Sequence, residues 1–211
     1  AIETLYTKPP ENSVVVCLDE MGSLSTRVHA GKELVKPRAS ETKPAERAKH
    51  ELCYERTEKS GYVFGALQPA TGEALTTTSQ HRSAVTIAAF LEKIEAWIPA
   101  STERVYAILD NLNTHKAHDI LLFALANPRW EFVFQPKYAA YLNLIEPWWK
   151  TLKSLAFKGK TFATWEEKEA TIAPATDYWN KHKHPYVWGR RRRHRPPRKP
   201  GIACAPYVAP P

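Results

Sequence analysis

A mixed α/β domain with a five-stranded sheet flanked by helices is the fold class that this sequence predicts. Three observations predict it: short aliphatic and β-branched runs bounded by turn residues, helical spacing of apolar residues between the later runs, and a carboxylate closing the first and the fourth run. The 211 residues, 43% of them hydrophobic and seven of them Trp, suffice for one medium domain with a substantial core.

Residues 1–13 are a polar, proline-containing lead-in. Val14-Val-Val-Cys-Leu reads as the first strand and delivers Asp19 and Glu20. A turn at Met21-Gly-Ser then predicts a hairpin return over residues 24–29. Dense charge with Pro37 and Pro44 makes residues 38–49 a long loop. Residues 62–67 form the next strand, "QPATGEA" a turn, and residues 75–78 a weaker strand carried by its Thr run. From 83 to 97, Val85, Ala88, Ala89, Leu91, Ile94 and Trp97 recur at spacings near three and four, the pattern of an amphipathic helix on a sheet. A strand over 105–109, a helix over roughly 117–126 and a strand over 131–134 follow. Residues 137–141 connect to a helix that runs to Phe157, and one last helix spans 165–181. The domain is thus expected over 14–182, ahead of a basic, proline-rich tail over 183–211.

Net charge is +8, and its location matters more than its size. Nine of the 30 Lys and Arg lie beyond Asp177 with no Asp or Glu among them, so the first 177 residues are close to neutral. Cys17, Cys53 and Cys204 are odd in number and widely spaced, which points away from a disulfide framework and toward a reducing, cytoplasmic setting. No apolar run reaches the length of a membrane span, so no membrane partner is expected.

Three acidic residues carry the chemistry. Asp110 closes the run 105–109 and is followed by Asn111, Asn113 and His115. Taken alone it reads equally well as a helix cap or as a ligand at the mouth of a sheet. Glu146 lies three residues after Asn143 and just before Pro147, so a capping box at the helix start accounts for it as well as a site does. The element order changes the balance. Strands one and four are candidates for neighbours, which puts Asp19 beside Asp110, and the following helix brings Glu146 to the same edge. Close carboxylates repel and raise one another's pKa, so such a cluster calls for a divalent cation. Oxygen-only donors favour Mg²⁺ or Mn²⁺, and two such ions ~3.5–4 Å apart support phosphodiester chemistry.

At these residues the chain resembles the catalytic domain of a DDE transposase, in the bacterial insertion-sequence branch of the mariner-type superfamily. "VVVCLDEMG" resembles the strand of the first Asp, "YAILDNLNTHKA" that of the second, and "PKYAAYLNLIEPWWKTLKS" the Glu helix, with Asp110 and Glu146 36 residues apart. "YWNKHKHPYVWGRRRRHR" is similar to the family's closing segment. The resemblance implies a ribonuclease H-like fold, with Asp19, Asp110 and Glu146 as the catalytic, metal-binding triad for two Mg²⁺ ions, Mn²⁺ substituting. It also implies DNA strand cleavage and strand transfer, a homodimer in a synaptic complex, and DNA as partner. Family members usually carry helix-turn-helix modules ahead of the first Asp, and 18 residues precede Asp19 here, so a separate DNA-binding portion is expected. The loop before Asn143 reads Lys137-Tyr-Ala-Ala-Tyr where many relatives have Ser-Pro.

The remaining candidates support that reading. Asn111, Asn113, His115 and Asn143 either position phosphate and water or satisfy their own loops. Lys150 and Lys153, one turn apart on the Glu146 helix, are candidate phosphate contacts. Arg190, Arg191, Arg192, Arg193 and Arg195 form a nonspecific DNA clamp or a solvated tail. Trp148 and Trp149 read as core. Glu20 alternates to the other strand face and stays outside the triad. An inactive DNA-binding derivative and a nuclease acting on RNA–DNA hybrids are the alternative functions.

Overall fold

Strand alternation sets up the two cores. In the computed structural model, which describes residues 2–25, 60–110 and 118–189, β1 (Ser13–Ser25) is the central strand. Its Val16 and Leu18 face one side, Cys17 and Met21 the other, and all four are buried. Around it stand β2 (Ser60–Gln68), β3 (Glu73–Ser79), β4 (Arg104–Leu109) and β5 (Trp130–Phe134), in the order β3-β2-β1-β4-β5. β3, β2 and β1 are antiparallel neighbours, whereas β1, β4 and β5 run parallel. The five-stranded mixed sheet is the expected one.

The first face packs under α2 (Ala84–Trp97) and α3 (His118–Ala126). Ser83 starts α2 with a capping box in which its Oγ accepts from the Thr86 N–H and its own N–H donates to Thr86 Oγ1. Ile87, Phe90, Leu91 and Ile94, at helical spacing, are the residues that α2 buries. The opposite face is covered by α4 (Ile145–Ala156), α5 (Trp165–Glu169) and α6 (Ile172–Lys181). There Ile145, Trp148, Trp149 and Leu152 pack on Cys17, Met21, Val63 and Leu67.

Three expectations are corrected. The chain does not turn at Met21-Gly-Ser to start a hairpin: β1 continues to Ser25 and pairs with β2, and a bulge between Met21 and Leu24 absorbs Gly22 and Ser23. The glycine here serves a bulge in a long strand, and burial of Met21 against the helices holds the strand on course. Residues 26–29 of that expected hairpin, and the loop expected over 38–49, lie outside the described residues. The single helix expected over 165–181 is broken at Ala170 and Thr171 into α5 and α6. Pro174 is the cause: it has no N–H to donate back to Ala170, yet is tolerated in the first turn of a new helix. The third correction, at Asn143, belongs to the site.

The ends of the described chain also pack on the body. In the lead-in, α1 (Ile2–Thr7) buries Ile2, and Tyr6 donates its hydroxyl to the Leu142 carbonyl at 2.7 Å. Residues 183–188 fold back on the β2–β3 turn: the Tyr186 N–H bonds the Pro69 carbonyl, Lys183 pairs with Glu73 at 2.6 Å, and Trp188 stacks on Tyr6. Among the described residues no helix is long and apolar enough to cross a membrane.

Candidate active site

Register brings the two aspartates together. The parallel pairing of β1 with β4 runs from Ser13 opposite Arg104 to Cys17 opposite Ile108, so Asp19 and Asp110 stand two residues beyond the last pair on adjacent strands. That is the carboxyl end of the parallel part of the sheet, where crevices for ligands open. Asp19 shares the face of Cys17 and therefore looks toward α4. Glu146, the second residue of α4, is exposed there and near enough for its charge to act on Asp19.

The Asp19 pKa is pushed up to about 7: burial is the largest cause, the Trp149 indole N–H, donating to Oδ2 at 2.8 Å, opposes the shift, and the charges of Glu146 and Glu20 add to it. Glu20 lies on the α2 face with Arg82 3.3 Å away and its side chain 4% exposed.

Asn143 is not the N-cap of α4, and it forms no capping box with Glu146. The residue before that helix is Leu144, with no side-chain cap bond, while Asn143 Oδ1 accepts from the Ile145 N–H at 3.5 Å. Asn143, 1% exposed, also donates its Nδ2 to the Leu18 carbonyl at 2.8 Å. The physical reason is accounting: the β1–β4 register ends at Cys17, and a buried carbonyl beyond it needs a donor. The consequence is a direct tie between the start of the Glu146 helix and the backbone next to Asp19.

Trp148 and Trp149 are both core, as expected, yet Trp149 has a second task that the sequence reading missed: its N–H holds Asp19. Gly65 makes this possible. It sits opposite Asp19 in β2, and a Cβ there would fall 2.3 Å from Trp149 Cη2. The only signal in the sequence was the residue type, since a buried Trp carries a polar handle that seeks a partner. Nothing marked Gly65.

Lys150 and Lys153 are exposed and follow Glu146 by four and seven residues, so the three form one stripe on the outer side of α4. Asn111, Asn113 and His115, and likewise Arg190, Arg191, Arg192, Arg193 and Arg195, lie outside the described residues. Among the described residues, no three His, Cys, Asp or Glu side chains converge closely enough to hold a metal ion as they stand. The donor chemistry itself fits a hard divalent cation: the donors are all oxygen, and a cation relieves the burial and like-charge penalty on Asp19.

A five-stranded mixed sheet of order β3-β2-β1-β4-β5 with helices on both faces is a ribonuclease H-like fold. The comparisons agree. A family described as "DDE superfamily endonuclease" matches residues 14–168, and the chain belongs to that family. It is similar to the insertion element IS630 uncharacterized 39 kDa protein of Shigella sonnei, at 25% identity over 91 residues, which is 43% of this chain and 26% of that protein. Among solved structures it is similar to the Mos1 mariner paired-end complex with Mn, at 14% identity and a TM-score of 0.59 over 88% of this chain and 53% of the other. The corresponding complex with Mg gives 13% identity and a TM-score of 0.57, over 89% and 53%. The chain thus spans about a quarter of the IS630 relative and about half of the Mos1 chains.

Proposed function

We propose that this chain is the catalytic domain of a DNA transposase, cutting one DNA strand at an element end and joining it to target DNA, with Asp19, Asp110 and Glu146 binding divalent metal ions. The observation that carries the reading is the placement of Asp19 and Asp110 at the ends of neighbouring parallel strands, with Glu146 close enough to act on Asp19. Family membership supports it.

Two Mg²⁺ ions, or Mn²⁺ in their place, supply Lewis-acid polarisation of the phosphodiester and of the attacking oxygen when bound. The protein's own residues do the rest. Trp149 fixes Oδ2 of Asp19 so that Oδ1 keeps a defined direction, and Asn143 keeps the Glu146 helix in register with β1. Lys150 and Lys153 extend the stripe from Glu146 and neutralise phosphates along the bound strand. The Arg190–Arg193 and Arg195 cations clamp the DNA backbone, and Asn111, Asn113 and His115 support the site beside Asp110. A separate helix-turn-helix portion reads the element ends, two copies bridge a pair of ends, and the protein works in the cytoplasm on nucleoid DNA. The paired-end complexes of the Mos1 relative support the DNA and pairing parts of this reading.

The test is a strand-cleavage and strand-transfer assay on linear element-end DNA with Mg²⁺ or Mn²⁺, with the DNA-binding portion supplied. Wild type is expected to cut and join, while Asp110→Asn and Glu146→Gln bind DNA equally well but fall to background. If all three bind and none cuts, the chain is an inactive DNA-binding derivative; if wild type cuts only RNA in a hybrid, it is a nuclease of another kind.

A further inference from the structure

The loop that leads into the Glu146 helix displays two aromatic rings that the fold itself does not use. Tyr138 is fully exposed and Tyr141 is 71% exposed. Their neighbours Ala139 and Leu142 are buried against Ile2, Val15 and Ile108, so the loop is pinned by its inward residues while its outward ones stand in solvent. Three successive turn bonds stiffen it: the Ala139 N–H to the Pro136 carbonyl, Leu142 to Ala139, and Asn143 to Ala140. Tyr6 adds a fourth anchor through the Leu142 carbonyl. Tyr138 also holds φ at 63°, in the left-handed region that a bulky side chain rarely adopts. A rigid loop that keeps a Tyr at such a φ and exposes its ring maintains that ring for an external contact.

Charge indicates the partner. Lys137 precedes the first Tyr and is exposed, and the Lys150 and Lys153 stripe begins one turn after Glu146. Exposed aromatics interleaved with cations suit single-stranded nucleic acid, where bases stack on rings and phosphates meet lysines. We propose that Tyr138 and Tyr141 form a stacking platform for unpaired bases of the DNA strand end that enters the active site. This rests on the DNA reading above and adds to it the state of the DNA that is preferred: locally unpaired rather than fully duplex. The rings accept any base face, so the platform selects for strand opening and not for sequence.

The experiment compares, in EDTA, the affinity of the full chain for a blunt duplex and for the same duplex with a three-nucleotide single-stranded extension, by fluorescence anisotropy. Wild type is expected to favour the extended DNA by roughly tenfold or more, given the strength of base–aromatic stacking. Tyr138→Ala with Tyr141→Ala is expected to bind both DNAs alike and to keep its thermal stability, because neither ring is buried. The double Phe variant is expected to retain the preference, since stacking uses the ring and not the hydroxyl. No preference in wild type, or a preference kept by the double Ala variant, overturns the proposal. So does a change of oligomeric state in the Ala variant with its preference intact, which assigns the rings to a second copy of the chain. A protein that cuts DNA yet shows no preference refutes the platform alone; one that shows the preference and does not cut refutes the catalytic reading alone.

Discussion

At the scale of single residues, the Trp149–Asp19 bond decides how the site behaves. The indole N–H favours the charged carboxylate, so Trp149→Phe, which keeps most of the packing, is expected to raise the Asp19 pKa above about 7, as read by ¹³C carboxyl titration in EDTA. A titration unchanged from wild type would remove the positioning role. Asp19 also makes metal-free stability depend on pH. Its folded pKa lies above the ordinary 3.8, so the folded state holds the proton more tightly than the unfolded chain and loses stability as pH rises from about 4 through 7. Asp19→Asn, which still accepts from Trp149, is expected to gain on the order of 1–4 kcal/mol over wild type at pH 8 in EDTA, and nothing at pH 4. Urea unfolding across that range checks it; equal pH slopes for both proteins contradict it. The positions of Asp110 just after β4 and of Glu146 at the start of α4 were legible because each element carries a clear apolar pattern. The roles of Asn143 and Trp149 were not, because a side-chain bond to the Leu18 carbonyl or the Asp19 carboxylate is made across some 130 residues of chain and leaves no local trace.

At the scale of elements, close approach between α4 and β2 is the controlling feature. Gly65→Ala puts a methyl into the Trp149 ring, and the displaced indole loses both its packing and its grip on Asp19. A loss of about 1–3 kcal/mol by chemical denaturation is expected, with the Asp19 titration shifting upward as in Trp149→Phe. Were the stability unchanged, α4 would have room to shift that the packing denies it. Helix α2 was readable from its period and its capping residue Ser83, and strand β4 from its aliphatic, β-branched run. Where reading failed, a single residue had two meanings. Gly22 signals a turn in isolation but serves a bulge once Met21 is buried, and Pro174 interrupts a helical pattern that otherwise runs on. Lys168 shows the same limit: it looks like a surface cation yet is buried, donating to the Ser25 carbonyl at 2.7 Å with Nζ 4.7 Å from the Phe157 ring.

For the whole molecule, charge and connection matter most. Truncation after Gly189 removes seven cations, and every phosphate that thereby goes unneutralised flattens the slope of log affinity against log salt by about 0.9. Weaker DNA binding with a shallower slope is expected from titrations between low and moderate salt; an unchanged slope assigns the tail no part in binding. The sheet pairing has a different consequence. Ser25 at the end of β1 lies opposite Ser60 at the start of β2, so the two described positions that flank residues 26–59 are neighbours in the sheet. Two paired strand ends of this kind are a natural socket: a fluorescent reporter or a foreign DNA-reading module joined to Ser25 and Ser60 has both of its ends already side by side, and leaves the strand carrying Asp19 paired as before.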